Sequence, residues 1–249
     1  MLGIDISKWN SVFDWSKVQK QGVELAYLKA SGAGNGGNYI DFRFKENGTS
    51  CPLPYKGAYH YFDYRGHGAD QCKYFLDTVG DFGNLRGALD FEDNSGGGWP
   101  KLSSMVGTSL KEALAWVTQY KLECGHYPVL YMSTDPTTWK QWTSTGYKYT
   151  FRNFTDCPLW VANYNKITTP PTGAWSTYTM WQYTSNGDGY LFGNGGTGNP
   201  YIDLNIVKDV NALLKPGVTI EDPVVIPVIQ PTDAEKLRIL WEAYKAYNK

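Results

Sequence analysis

Ala88-Leu89-Asp90-Phe91-Glu92-Asp93 sets two carboxylates two residues apart at the end of an apolar run. If the run is a strand, Asp90 and Glu92 point the same way, roughly 7 Å apart along the chain. At that separation one ionised carboxylate raises the proton affinity of its neighbour, so acid and base roles can be divided between them. Such a pair is the equipment of glycoside hydrolysis. The competing reading of the same residues is a solvated strand end or a helix cap.

Working outward from this run, the chain alternates short apolar segments with turn-rich or helical ones. Candidate strands fall at 3–6, 25–29, 57–62, 88–92, 129–133, 159–163, 179–183 and 201–204. Eight strands over about 200 residues predict a barrel. Helices are expected at 15–21, 69–79 and 109–124, the last with Leu110, Leu114, Val117 and Lys121 at helical spacing. Later connections are rich in Gly, Asn, Thr and Pro, notably 184–200, so the expected fold is α/β, an irregular (β/α) barrel with eight strands and fewer helices. Asp5, Tyr61 and Asp203 also fall at or near strand ends. In a barrel of parallel strands the C-terminal ends converge on one face, which would bring Asp5, Asp90, Glu92 and Asp203 together.

The length allows one large domain of the α/β or barrel kind or two small ones, and the composition is sufficient for a core. Of 249 residues, 42% are hydrophobic and 19% charged, which argues against disorder. Ten Trp, nineteen Tyr and ten Phe exceed what such a core needs, and aromatic faces suit stacking on sugar rings. A net charge of −1 gives no footprint for nucleic acid or anionic lipid. Cys51, Cys72, Cys124 and Cys157 show no C-x-x-C spacing and form no zinc signature with His60, His67 and His126, so neither a metal nor a cofactor is expected. The run of glycines at 32–37 lacks the Gly-Lys-Ser/Thr ending of a phosphate loop.

Further fragments in order are Gly3-Ile4-Asp5-Ile6-Ser7-Lys8-Trp9-Asn10, Phe13-Asp14-Trp15, Tyr27-Leu28-Lys29-Ala30, Gly57-Ala58-Tyr59-His60-Tyr61-Phe62, Pro128-Val129-Leu130-Tyr131, Leu159-Trp160-Val161-Ala162-Asn163-Tyr164, Trp181-Gln182-Tyr183 and Ile202-Asp203-Leu204-Asn205. With Asp90-Phe91-Glu92, this series resembles glycoside hydrolase family 25, the Chalaropsis-type lysozymes, over residues 1–214. The resemblance implies an N-acetylmuramidase that cuts the β-1,4 bond between N-acetylmuramic acid and N-acetylglucosamine in peptidoglycan. It implies Glu92 as general acid and Asp90 as the ionised partner. Retention would be assisted by the substrate's 2-acetamido group. Asp5 and Asp203 would be supporting carboxylates, and Tyr61, Trp160, Asn163 and Gln182 would shape the groove. One departure stands out: many members follow Lys-Ala with a Thr-Glu-Gly-like segment, whereas Ser31-Gly32-Ala33 here lacks the acid. Alternatives are a catalytically silent carbohydrate-binding protein and a hydrolase of another acetamido-sugar polymer such as chitin.

Beyond the catalytic segment (1–215), Pro223, Pro227 and Pro231 mark a Pro-rich linker (216–232). A helix is expected in the tail (233–249), with Leu237, Leu240, Trp241, Tyr244 and Tyr247 on one apolar stripe. The stripe could dock on the barrel or support homo-oligomer formation. The first residues carry neither a basic region nor a long apolar run, so no signal peptide is expected. No apolar segment approaches membrane-spanning length. The setting expected first is a phage-type endolysin made in the host cytoplasm and acting on the bacterial cell wall, with a bacterial or non-classically exported autolysin as the alternative.

Overall fold

The computed structural model describes residues 1–12, 14–133, 150–165, 168–194 and 200–219. The expected tail helix and all but the first residues of the expected linker lie outside these. The strands are β1 (Leu2–Ile6), β2 (Val23–Gly34), β3 (Gly37–Ile40), β4 (Tyr55–Tyr61), β5 (Ala88–Asp90), β6 (Val129–Ser133), β7 (Leu159–Ala162), β8 (Met180–Asp188) and β9 (Tyr201–Val207). They form one sheet in the order β1-β9-β8-β7-β6-β5-β4-β2-β3, and β1 also pairs with β2. That extra pairing closes eight strands into a barrel and leaves β3 as a hairpin arm on β2.

From β1 through β2, β4, β5, β6, β7 and β8 every neighbouring pair in the ring is parallel. β9 closes the ring antiparallel to both β1 and β8. An all-parallel barrel is thus corrected at its last strand. Asp203 reaches the mouth from near the beginning of β9, because that strand runs the other way.

Four α-helices accompany the strands: α1 (Trp15–Lys20), α2 (Phe44–Ser50), α3 (Gly68–Val79) and α4 (Val106–Cys124). α1 starts where the Asp14 side chain accepts the Ser16 amide. In α4 the buried residues Leu110, Ala113, Trp116, Val117 and Tyr120 repeat at three- and four-residue steps, and Gly125 ends the helix at φ 75°. The sequence reading missed α2, because its residues Asn47, Gly48, Thr49 and Ser50 are poor helix formers. Burial of Phe44 and Asn47 holds it instead.

Two apolar layers follow from the alternation along the strands. One lies between barrel and helices and includes Ile4, Ile6, Leu28, Leu89, Leu130, Val161, Phe75 and Trp116. The other fills the barrel with Leu25, Tyr27, Tyr59, Ala88, Val129, Tyr131, Trp160 and Met180. A buried polar chain ties α3 to the sheet: the His60 ring bridges Ser31 Oγ at 2.9 Å and Gln71 Oε1 at 3.2 Å. Burial pushes His60 down to about 4, so it is neutral at ordinary pH. No helix among the described residues is long and apolar enough to cross a membrane.

Candidate active site

The barrel interior changes character toward the ends of the parallel strands. Tyr27 and Trp160 stack at 5.0 Å, Tyr131 meets Trp160 edge-on at 4.8 Å, and this aromatic layer floors a cavity of about 190 Å³. The cavity is lined by Asp5, Tyr59, Asp90, Glu92, Tyr131, Trp160, Tyr164, Gln182 and Asp203. All four carboxylates expected to converge therefore do so.

Each carboxylate is placed by a different device. Asp5 and Asp203 stand opposite each other in the β1–β9 pairing. So placed, Asp5 raises the proton affinity of Asp203. Gln182 Nε2 donates to both Asp5 oxygens at 3.1 and 2.9 Å, and Asn205 Nδ2 donates to Asp5 Oδ2 at 2.7 Å. Gln182 Oε1 in turn accepts the hydroxyls of Tyr131 at 2.9 Å and Tyr164 at 2.6 Å, while Asn205 Oδ1 accepts the Trp160 indole N–H at 2.8 Å. Asp203 receives Asn10 Nδ2 at 3.0 Å.

Asp90 is the last residue of β5, so Glu92 stands just past the strand, unlike the expected strand over 88–92. Both still face the same cavity. Asp90 is buried, and its Oδ1 has no hydrogen-bond partner among the described residues. Burial and the nearby Glu92 push Asp90 well above the usual carboxylate range, against the pull of Lys29. Burial also raises Glu92 to about 7, again opposed by Lys29. Asp5 rises to about 6 through burial, countered by its bonds from Asn205 and Gln182. Asp203 is raised well above its ordinary value by burial and by Asp5. All four carboxylates thus bind protons more tightly than usual, and Glu92, at about 7, can give or take one at neutral pH.

The groove residues divide. Trp160 lines the cavity but is 1% exposed, so it supports the floor rather than offering a free face. Gln182 is 3% exposed and acts on Asp5. Tyr61 is not part of the cavity wall; it pairs in register with Asp90 and lies under the Lys29 ammonium, 4.1 Å from its ring centre. Asn163 is buried behind the mouth, where its carbonyl accepts the Trp181 indole N–H and its Oδ1 accepts the Asn165 amide. Sequence reasoning passed over Tyr59, Tyr131, Tyr164, Asn205 and Lys29. The signal was present: Tyr59 sits two residues before Tyr61 and Asn205 two after Asp203, on the same strand faces.

The missing acid after Lys29-Ala30 also has a structural counterpart. β2 continues to Gly34 and turns back as β3, so the glycine run is a hairpin. A Cβ at Gly32 would stand 2.5 Å from the Tyr39 hydroxyl. The β3 arm therefore fills the space above residue 32 with a tyrosine. The described residues hold no group of three His, Cys, Asp or Glu side chains placed for a metal ion. Cys51, Cys72, Cys124 and Cys157 are all free thiols.

Residues 4–189 match the sequence profile of Glycosyl hydrolases family 25. The chain belongs to this family. Lysozyme M1 of Streptomyces globisporus is 31% identical over 197 residues, 74% of this chain and 62% of that protein, so the chain spans less than two thirds of that relative's length. The spore cortex lytic enzyme SleM of Clostridium perfringens superposes with a TM-score of 0.68 at 25% identity, covering 86% of this chain and 69% of SleM. The bacterial lysozyme of Streptomyces coelicolor does so with a TM-score of 0.64 at 26% identity, covering 84% and 92%.

Proposed function

We propose that this family 25 chain is a peptidoglycan hydrolase that cleaves the β-1,4 bond between N-acetylmuramic acid and N-acetylglucosamine with retention. The observation that carries the reading is the pairing of buried Asp90 with half-buried Glu92 in a cavity lined by two further carboxylates. The lysozyme relatives support peptidoglycan as the substrate class. Glu92, raised to about 7, is the general acid that protonates the glycosidic oxygen as the bond to C1 breaks. The carbonyl oxygen of the substrate's 2-acetamido group closes on C1 from the opposite face, so no enzyme nucleophile is needed. With the proton of the pair on Glu92, the Glu92 repulsion that raises Asp90 is gone and Lys29 favours its ionised form, so Asp90 accepts the acetamido N–H and balances the positive charge that develops on the ring formed. Glu92, now ionised, takes a proton from water, whose oxygen attacks C1 and reopens that ring. Two inversions give net retention. Asp5 and Asp203, aligned through Gln182, Asn205 and Asn10, hold the mouth and the sugar that enters it.

The test digests purified peptidoglycan with the protein and with Glu92→Gln, reduces the new ends with borohydride and identifies them by mass spectrometry. Muramitol ends from the native protein and not the variant are expected. Reduced glucosamine ends would overturn the bond assignment. An absence of new ends, with the protein still sedimenting with walls, would make the chain a binder.

A further inference from the structure

Beside the four carboxylates of the cleft stands one half-buried cation, Lys29, which neither gives nor takes a proton in the proposed reaction. Lys29 pairs in register with the cavity-lining Tyr59, so its side chain rises on the inner face of the barrel. Its ammonium lies 4.1 Å from the Tyr61 ring centre, with Tyr39 at 5.9 Å and Tyr59 at 6.0 Å. Three tyrosine faces form a cage, an arrangement that holds a desolvated ammonium in place. The β3 hairpin supplies one wall, because side-chain-free Gly32 admits the Tyr39 hydroxyl. The charged groups that face Lys29 are Asp90 and Glu92 from beyond β4, Asp41 after β3 and Lys8 after β1. No carboxylate among the described residues is within ion-pair distance of its ammonium.

The carboxylates differ in what neutralises them. Asp5 has three donor contacts from side-chain amides and Asp203 has one. Asp90 Oδ1 has none. We propose that Lys29 is a positioning residue of the cleft: held in its tyrosine cage, it is the counter-charge that keeps one carboxylate of the Asp90–Glu92 pair ionised while the other carries the proton. The inference rests on the hydrolase reading for its consequence in activity, but its effect on the two carboxylates is independent of it. Burial alone would leave both members of the pair protonated. A protonated Asp90 cannot balance positive charge at the reacting sugar. A fixed ammonium that makes no direct ion pair biases the pair electrostatically and leaves its oxygens free for substrate. Direction follows from Coulomb's law: the cation lowers both proton affinities, so removing it raises both steps of the pair's titration.

The experiment compares native protein with Lys29→Met and Lys29→Arg. The side-chain carboxyl carbons of Asp90 and Glu92 are followed by NMR from pH 4 to 9, alongside kcat/KM on solubilised peptidoglycan over the same range. Lys29→Met is expected to move both titration steps up by roughly one unit and to carry both limbs of the activity profile with them. Lys29→Arg should restore both. Unchanged titration steps in a folded Lys29→Met protein, or a uniform loss of kcat/KM with no shift of either limb, would overturn the proposal and reduce Lys29 to packing. If Lys29→Met fails to fold, Lys29→Gln takes its place with the same criteria. If native protein releases no muramitol ends, the hydrolase reading fails alone, since the carboxyl titrations still decide the role of Lys29.

Discussion

Replacing Glu92 by glutamine should make the protein more stable at high pH and leave it nearly unchanged at low pH. Glu92 has a folded value of about 7 against an ordinary 4.5. The folded chain therefore binds this proton more tightly than the unfolded one. The contribution from Glu92 is fully present below 4.5 and is lost as pH rises through about 7, after which the folded state holds an ill-solvated charge. At about 1.4 kcal/mol per unit the burden approaches roughly 3 kcal/mol above pH 8. Glutamine keeps the shape and carries no charge, so Glu92→Gln should relieve most of it. In a chain of this size that is a rise in Tm on the order of 5–10 °C at pH 8.5, shrinking toward zero near pH 4.5. Urea unfolding of both proteins at several pH values reads the difference directly. A variant that is less stable at pH 8.5, or an offset that is the same at every pH, would refute the claim that burial rather than a local contact sets the proton affinity of Glu92. The same variant should lose hydrolysis, so stability and activity would move in opposite directions at one atom.

Other outcomes follow from the supporting shell and the packing. Gln182→Leu removes both amide contacts to Asp5 and strands the Tyr131 hydroxyl; we expect kcat/KM on peptidoglycan to fall by about 10²-fold and stability by about 1–3 kcal/mol, measured by turbidity loss and urea unfolding. Gly68→Ala drives a methyl group into the Glu112 carbonyl where α3 crosses α4, and should cost about 2 kcal/mol or more in chemical denaturation, with the cleft chemistry unchanged in pH profile. Burial raises all four thiols, but Cys51, Cys72 and Cys157 are buried whereas Cys124 is partly exposed, so a thiol reagent added to native protein at pH 8 should label Cys124 alone, and all four after unfolding.

Where the sequence was legible, one strong local pattern agreed with one global constraint. The apolar run Val129, Leu130, Tyr131 and Met132 read as a buried strand, and Leu110, Leu114, Val117 and Lys121 at helical spacing marked the helix, although the face it buries runs through Leu110, Ala113, Trp116, Val117 and Tyr120 and leaves Lys121 exposed. Barrel closure then brought Asp5 and Asp90 together although 85 positions separate them. The failures have physical reasons too. The direction of β9 leaves no mark on its alternation, since Ile202, Leu204 and Ile206 against Asp203 and Asn205 read the same both ways. The arm formed by β2 and β3 is held by backbone pairing between Gly32 and Tyr39 and between Gly34 and Gly37, and three of these four residues are glycines, whose propensity is for turns. Trp160 was expected to shape the groove, but burial depends on what the neighbouring strands place against it, here Tyr27, Tyr59 and Tyr131.

The reversed last strand has a chemical consequence. Parallel strands deliver side chains to the mouth only from their C-terminal ends, and one residue step per strand limits how many polar groups can meet there. β9 enters at the mouth and runs down into the barrel, so Asp203 and Asn205 lie at successive depths on the inner face, the first opposite Asp5 and the second opposite Gly3. Gly3 has no side chain, which leaves Asn205 room to lie across toward Asp5 and to receive the Trp160 indole N–H. The antiparallel closure thus stacks a carboxylate above an amide beside Asp5, and that amide links the polar mouth to the aromatic floor. A side chain at residue 3 would meet Leu25 at 3.2 Å and the Asn205 Cβ at 3.5 Å. Gly3→Val, with two further methyl groups in this space, should therefore displace Asn205. Asp5 would lose its 2.7 Å donor and bind its proton more tightly, shifting the titration of its carboxyl carbon above about 6. An unshifted Asp5 titration in a folded Gly3→Val protein would show that the Asn205 donor does not help to set the proton affinity of Asp5, and would refute this reasoning.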